Sequence, residues 1–277
     1  MAKETKLEDL PGDCMVQILC LTSPRDACRS SLISRAVHAV AESDLLWESF
    51  LPPDYQEILS RLVTPVAFRS KKELFLRLCT PRLTDGGRKS FSIERRTGKK
   101  CYMLSARSLS ITWSSNSLYW CWKPFARSRF GEAAELVTVS WLEIRGKLNT
   151  RLLSPRTAYA AYLIADVADR AYGLDSLPSE VSVEVGGKRR SRGSVYLRRG
   201  GPSRRDSSVD TVRMRKRVEA ERVLRDREDG WLEIELGEFY CDIDGGDEEV
   251  TMSLKEVKGE HLKGGLIVKG IEVRPIS

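Results

Sequence analysis

The stretch Pro81-Arg-Leu-Thr-Asp-Gly-Gly-Arg-Lys89 separates two parts of the chain that have different hydrophobic patterns. Before it, apolar residues recur at helical spacing between capping residues and prolines. After it, short segments rich in β-branched and aromatic residues alternate with turn residues. The Asp-Gly-Gly sequence itself predicts a linker or a long turn over residues 85–89. We therefore expect a small helical domain followed by an all-β domain.

The composition is that of a globular protein. Of 277 residues, 41% are hydrophobic and 31% charged, a length that predicts about two domains. The content of 20 Gly and 11 Pro excludes a collagenous or low-complexity chain. No stretch has the apolar length of a secretory signal or a membrane span. The seven cysteines show no CxxC spacing, so we expect reduced thiols in a soluble protein of the cytoplasm and nucleus.

Helix signals fill the N-terminal part. Residues 14–21 carry an apolar stripe at helical spacing. Ser23-Pro-Arg-Asp26 supplies an N-cap hydroxyl, a proline at the first helical position and an acid at the third, and predicts a second helix that runs to Arg35. Ser43-Asp44 predicts the cap of a third helix. Two more short helices are predicted over residues 55–63 and 71–79.

The C-terminal part carries short strand-like segments at the spacing of a β-sandwich or barrel. Residues 158–172 combine alanines, which favour a helix, with residues that suit a buried strand, and we predict a strand. Trp-Leu-Glu-Ile begins at both Trp141 and Trp231 without a surrounding repeat, which indicates two similar strands. The other predicted strands are residues 109–113, 118–122, 136–144, 181–185, 194–197, 231–236, 250–254 and 266–273.

The net charge of +7 is unevenly distributed. Residues 188–217 hold twelve Lys or Arg against two Asp, a local charge of +10, which leaves −3 for the rest of the chain. Because Gly, Ser and Pro punctuate this segment, we predict a solvated, mobile insertion near residues 186–217. Nucleic-acid binding is the less favoured interpretation, since such domains spread basic residues over a folded face. It would predict an affinity that falls steeply with salt.

Residue types that carry catalysis or hold metals are sparse. The two histidines, His38 and His261, form no metal-ligand or catalytic pattern, and both are predicted at the surface. No phosphate-binding glycine motif is present. The acidic residues over 242–249 are more typical of a turn than of a paired-carboxylate catalytic site. We expect a non-catalytic protein that needs no metal and no cofactor.

Aromatic residues concentrate in one short segment. Trp113, Tyr119, Trp120 and Trp122 surround the polar turn Ser114-Ser-Asn-Ser117. Two strands flanking this turn would direct some rings inward and others outward. Exposed indoles beside carboxylates suit sugar recognition, because a pyranose face stacks on the ring while carboxylates accept hydrogen bonds from sugar groups. The alternative is that these rings are core residues.

Two blocks of sequence resemble known families. The first block resembles a plant F-box. It consists of Leu10-Pro-Gly-Asp-Cys-Met-Val-Gln-Ile-Leu-Cys-Leu-Thr-Ser-Pro-Arg-Asp-Ala-Cys-Arg29 and continues with Asp44-Leu-Leu-Trp-Glu-Ser-Phe50. The second block is similar to the phloem-protein-two, or Nictaba-like, lectins and begins with Lys99-Lys-Cys-Tyr-Met-Leu-Ser-Ala-Arg-Ser-Leu-Ser-Ile-Thr-Trp113. It continues with Trp141-Leu-Glu-Ile-Arg-Gly-Lys147 and Gly265-Leu-Ile-Val-Lys-Gly-Ile-Glu-Val-Arg-Pro275. The order of the blocks is that of the F-box-Nictaba proteins. The implied domains are residues 1–50, an F-box; 51–98, a helical linker region; and 99–277, a lectin β-sandwich of jelly-roll type.

The F-box resemblance implies docking on a Skp-type adaptor of a cullin-RING ubiquitin ligase. Three helices of about fifty residues cannot bury all of this part's apolar surface, so a partner would cover some of it. The alternative is that helices over residues 55–79 and the sandwich cover it internally. The residues expected to bind the adaptor are Leu10, Pro11, Ile18, Leu19, Cys28, Leu32 and Trp47.

The lectin resemblance implies binding of N-acetylglucosamine oligomers or N-glycan cores. It assigns sugar contacts to Trp113, Trp120 and Glu238. The family's second carboxylate falls in the acidic loop over residues 242–249, which differs in length here, so either Asp244 or Asp247 replaces it or no residue does. Trp122 and Trp231 then belong to the core. The combined expectation is a receptor that directs glycosylated proteins to ubiquitination. The alternative is an F-box adaptor whose sandwich has lost sugar binding and recognises a polypeptide.

Overall fold

The structure, a computed structural model, describes residues 10–198, 221–242 and 247–276. Asp244 and the part of the predicted insertion after residue 198 lie outside these residues. The chain divides into two compact units, Met1–Tyr102 and Met103–Ser277. N-terminal helices precede a large antiparallel β domain, as the sequence predicts. No helix in the described ranges is long and apolar enough to cross a bilayer.

Serine caps delimit the helices of the first unit. The Ser23 and Ser43 side chains accept hydrogen bonds from the N–H groups of Asp26 and Leu46, so both predicted caps are confirmed. The prediction of one helix up to Arg35 is wrong, because the Ser34 side chain accepts from the Val37 N–H and starts a separate helix. The helices are α1 Gly12–Cys20, α2 Pro24–Ser30, α3 Arg35–Ala41, α4 Asp44–Phe50, α5 Tyr55–Ser60 and α6 Lys71–Leu78.

A β-hairpin follows the helices. Strands β1 Arg82–Thr84 and β2 Lys89–Ile93 pair antiparallel, with Thr84 opposite Lys89. Of the two alternatives predicted over residues 85–89, a linker or a long turn, the structure shows a turn between paired strands, with Lys89 already in β2. The Arg61 guanidinium donates two 3.0 Å hydrogen bonds to the carboxylate of Asp85, the first residue of this turn. Strand β3 Lys100–Ser105 begins in this unit and continues into the second.

The core of the first unit is built around Trp47. Its ring packs against Phe50 and Phe75 at centroid distances of 5.7 and 5.3 Å, which ties α4 to α6. The indole N–H donates to the Ala41 carbonyl at 2.6 Å, so its polar group is satisfied although the ring is buried.

Two sheets form the second unit. One has the order β3-β15-β8-β13-β12, with β6 paired to β15 and β5 to β6; the other has the order β11-β10-β9-β14-β7-β4. The sheets pack face to face, since a methyl group on Gly146 of β7 would meet Ile271 of β15. The strands are β4 Ser110–Ile111, β5 Trp120–Pro124, β6 Glu132–Leu136, β7 Leu142–Asn149, β8 Thr157–Tyr172, β9 Ser179–Val185, β10 Lys188–Val195, β11 Glu221–Arg222, β12 Arg225–Asp226, β13 Leu232–Cys241, β14 Glu249–Glu256 and β15 Gly264–Pro275.

Strand β8 confirms the prediction of a strand over residues 158–172. It lies between β13 and β15 and is buried along most of its length, which explains its near-continuous apolar sequence. The two strands predicted around the Ser114-Ser-Asn-Ser117 turn do not pair with each other. Instead β4 pairs with β7 in one sheet and β5 with β6 in the other, so this turn connects the two layers.

The described start of the basic segment forms strand β10, Lys188–Val195, which pairs with β9. Gly186 and Gly187, at φ 56° and 74°, form the turn between β9 and β10. On β10, Arg192 forms a 3.0 Å ion pair with Glu180 of β9. The local excess of positive charge is therefore partly neutralised by the neighbouring strand, a pairing that the linear sequence does not reveal.

Gly270 provides a test of the sandwich packing. An added Cβ would lie 1.9 Å from the Leu104 carbonyl oxygen, so β3 and β15 could not keep their spacing. We expect Gly270→Ala to lower the free energy of unfolding by roughly 2–4 kcal/mol. Gly187→Ala, whose Cβ meets nothing within 4 Å, carries only the strain of its positive φ and should cost about 1 kcal/mol. Equal losses for the two variants in urea unfolding would contradict this packing argument.

Candidate functional site

The first unit exposes large apolar side chains in the segment that resembles an F-box, mostly at the ends of its helices. Leu21, at the end of α1, is 90% exposed, and Leu32, just after α2, is 87% exposed. Ile33 and Leu45 are also mostly exposed. Isolated apolar residues are common on protein surfaces, but several on one short helical segment indicate an interaction surface.

The residues predicted to bind an adaptor divide into two groups. Leu10 is half-buried, while Pro11, Ile18, Cys28 and Leu32 are exposed. The sequence also predicts that Leu19 and Trp47 contact the adaptor, and this prediction is corrected, because both side chains are buried inside the unit. Helix α6 supplies Phe75 as the internal partner of Trp47, so the internal-packing alternative holds for that ring.

In the second unit, the loop after β4 presents Trp113 to solvent. Trp113 has φ 61°, a left-handed conformation that is uncommon for a bulky residue, and its side chain is 45% exposed. The Ser114 N–H donates to the Ile111 carbonyl and closes a turn around it. Backbone strain held in place by surrounding structure is a recurrent feature of binding loops.

Two indole N–H groups hold this loop. Trp120 donates to the Thr112 carbonyl at 3.1 Å, and Trp122 donates to the Ser114 carbonyl at 3.0 Å. The two anchored carbonyls flank Trp113 on either side. Because its ring is only 2% exposed, Trp120 cannot stack on a sugar. We correct the prediction for Trp120 accordingly: it is a core residue that positions the loop.

Trp122 is half-buried, and the sequence expectation of a core residue is met only in part. The Arg107 guanidinium lies 3.7 Å from the Trp122 ring centroid and bonds to both oxygens of Glu132, at 2.7 and 2.9 Å. These contacts cover one face of the Trp122 ring. The hydrogen bonds from Arg107 hold the pKa of the Glu132 carboxyl below its ordinary value.

Further aromatic side chains accompany Trp113. The Tyr119 ring lies 5.2 Å from the Trp113 ring, tilted by 38°. The Thr112 N–H donates to the Glu143 carbonyl, and Trp141 lies two residues before Glu143 at the same end of the β4–β7 pair. Trp141 is 43% exposed. This end of the sheet therefore carries exposed indoles on neighbouring chain segments.

Glu143 supplies a carboxylate beside them. It accepts a 3.2 Å hydrogen bond from the Trp141 indole and lies 3.4 Å from the Lys255 ammonium. Burial raises the pKa of Glu143, but the hydrogen bonds from Trp141 and Arg145 and the nearby positive charges outweigh this, and the pKa is lowered. The group is therefore an ionised acceptor at neutral pH.

Of the predicted carboxylates, Glu238 lies on a strand distant from the one that follows the Trp113 loop. Glu238 is exposed on β13, and β6, β15 and β8 separate β13 from the Trp120 strand β5. At about 4.8 Å per strand, the separation along the sheet is about 19 Å. Asp244 lies outside the described residues, and Asp247 is exposed and 3.6 Å from Arg151.

Sequence reasoning missed Trp141 and Glu143, although a signal for them was present. In Trp141-Leu-Glu-Ile144 the buried residues are Leu142 and Ile144, so strand alternation directs Trp141 and Glu143 to the opposite, outer face. His38 and His261 are exposed, as predicted. Across the described residues, no cluster of three or more His, Cys, Asp or Glu side chains could hold a metal ion.

Comparison with known proteins accounts for both units. A family model described as F-box-like matches residues 7–52, and the model of Phloem protein 2 matches residues 99–275. F-box protein PP2-B15 of Arabidopsis thaliana is 46% identical over 277 residues, covering 96% of each chain. F-box protein PP2-B13 of the same plant is 44% identical over 279 residues, covering 96% of this chain and 98% of its own. The chain therefore belongs to the plant F-box proteins that carry a phloem protein 2 domain.

Proposed function

We propose that this protein is the substrate-receptor subunit of an SCF-type ubiquitin ligase. In this role, the F-box helices bind a Skp-type adaptor, and the sandwich selects the protein to be ubiquitinated. The observation that carries the proposal is the exposure of Leu21, Leu32, Ile33 and Leu45 in the F-box-like segment. Burying these side chains against a partner would release their apolar surface from water, which is the main driving force for association.

For the sandwich, we propose a glycan ligand bound at the end that carries Trp113. An exposed indole held by anchored carbonyls offers a rigid stacking face, so little conformational entropy is lost on binding. Glu143 is the carboxylate we assign to the sugar hydroxyl or acetamido N–H groups, in place of Glu238. N-acetylglucosamine oligomers are the ligand class we test first.

A polypeptide ligand is the second candidate for the sandwich. Val137 is exposed, and its carbonyl accepts a 3.1 Å hydrogen bond from the half-exposed Tyr172. Leu118 and Leu262 are also exposed, and Leu262 is close to the neighbouring Gly173 turn. Aliphatic side chains of this kind favour a protein partner over a sugar.

Adaptor binding is tested with the Leu21→Asp, Leu32→Asp double variant. A charge at each position would have to be desolvated at the interface, so we expect affinity for a recombinant plant Skp-type adaptor to fall by roughly a hundredfold or more. Isothermal titration of the full-length chain provides the measurement.

The matched control for adaptor binding is Val63→Asp, an exposed aliphatic position in the same unit but outside the F-box-like helices. We expect it to bind the adaptor as the unaltered chain does. Unchanged affinity of the double variant, or equal losses in the double variant and the control, would contradict the proposed interface.

Glycan binding is tested by titrating the full-length chain with an N-acetylglucosamine trimer. Trp113→Ala removes the stacking face and should weaken binding about tenfold or more. Tyr240→Ala, which alters an exposed ring on β13, should have no effect. Absence of heat from the unaltered chain would rule out this ligand and favour the polypeptide candidate.

The carboxylate assignment has its own test in the same titration. Glu143→Gln should weaken binding on the order of tenfold, because a charged acceptor is replaced by a neutral amide. Glu238→Gln serves as the isosteric control and should bind normally. The reverse result, with loss only in Glu238→Gln, would place the sugar on the other side of the sheet and overturn the assignment of Glu143.

A further inference from the structure

The first unit contains a cleft of about 420 Å³ that the F-box-like helices do not form alone. Cys28 and Leu32 line it from the α2 segment, Trp47 from α4, and Phe75 and Leu76 from α6. Phe75 and Leu76 lie outside the F-box-like residues 7–52. The floor of the cleft is therefore apolar and is shared between the F-box and the segment that follows it.

Four arginines surround this apolar floor. Arg25 and Arg29 come from α2, and Arg95 and Arg96 come from the turn between β2 and β3. All four side chains are exposed. The rim of the cleft is thus strongly positive, although the rest of the chain outside residues 188–217 carries a small net negative charge.

These arginines are poorly neutralised by their neighbours. Arg29 has Asp26 at 3.8 Å, and both side chains are more than half exposed. Glu94 is adjacent to Arg95, but its carboxylate already accepts hydrogen bonds from the N–H groups of Arg96 and Thr97. Among the described residues, Arg25, Arg95 and Arg96 form no side-chain ion pair within 4.0 Å.

We propose that this cleft binds an acidic segment of the Skp-type adaptor that inserts an apolar side chain between the arginines. The proposal rests on the proposed function, and it extends the adaptor interface beyond the F-box to Arg95, Arg96, Phe75 and Leu76. Charge complementarity selects the acidic character of the segment, and the exposed side chains of Leu32 and Leu76, above the buried rings of Trp47 and Phe75, select its apolar side chain. The exposed Leu32 belongs both to this cleft and to the adaptor surface, which makes the two surfaces continuous.

The arginine rim predicts how adaptor binding depends on salt. Exposed charges act over about 10 Å at 0.1 M ionic strength and are screened at higher salt. Rim charges also act mainly on the association rate. Adaptor binding should therefore weaken and associate more slowly as salt is raised, and removing the arginines should abolish most of that dependence.

The experiment measures binding kinetics of the full-length chain with a recombinant plant Skp-type adaptor at 50 and 500 mM NaCl. We expect Arg95→Glu, Arg96→Glu to raise Kd on the order of tenfold at 50 mM NaCl, mostly through slower association, and to have little effect at 500 mM. For the milder variant Arg95→Ala, Arg96→Ala, we expect a Kd at 50 mM NaCl between that of the unaltered chain and that of the charge-reversed variant. The matched control is Arg170→Glu, an exposed arginine of the second unit, which should bind normally. Thermal unfolding followed by circular dichroism verifies that each variant is folded.

The outcomes separate this inference from the proposed function. If the unaltered chain binds the adaptor and the charge-reversed variant binds equally well at both salt concentrations, the cleft is not part of the interface and the inference is overturned. If the unaltered chain does not bind the adaptor, the proposed function fails and the inference fails with it. Equal losses in the variant and in Arg170→Glu would indicate a general charge effect and would also overturn it.

Discussion

A buried indole ring must keep its N–H group hydrogen-bonded, and this requirement organises both units. The buried rings of Trp47, Trp120 and Trp231 donate to the backbone carbonyls of Ala41, Thr112 and Arg127, and the half-buried Trp122 donates to that of Ser114. In each case the acceptor is a backbone carbonyl, so burying the ring also fixes the chain segment that carries the acceptor. An unpaired N–H in these positions would cost a large fraction of the stability of a domain. Core packing and the positions of the functional loops are therefore coupled.

This coupling separates two roles that the aromatic cluster combines in the sequence. Trp120 and Trp122 hold the backbone on either side of Trp113, and Trp113 is the most exposed of the three. The strained backbone at Trp113 is tolerated because the neighbouring carbonyls are anchored. A binding ring on a fixed loop loses little entropy when a ligand stacks on it. The residues that bind and the residues that position them are thus different tryptophans.

The two copies of Trp-Leu-Glu-Ile have opposite environments. Trp231 is 0% exposed, because the loop between β5 and β6 covers it and its ring packs 5.1 Å from Phe125. Trp141 directly precedes β7 and is 43% exposed. The arginines show the same effect of context: Arg192 on β10 pairs with Glu180, whereas Arg95 and Arg96 stand on the rim of a cleft. Identical residue types acquire their roles from what packs over them.

The sequence by itself determined the order of the two units, the family and the type of most elements. Those features follow from local signals: serine caps at Ser23 and Ser43, period-two alternation in the strands, and turn residues between them. It did not locate the start of α3 or reveal that the turn after Thr84 joins two paired strands. Only the tertiary structure decided that Trp47 and Trp120 are buried, that Glu238 is four strand positions from Trp120, and that Trp141 and Glu143 lie near the Trp113 loop. Burial and proximity depend on contacts between residues distant in the chain, and neither spacing nor composition encodes those contacts locally.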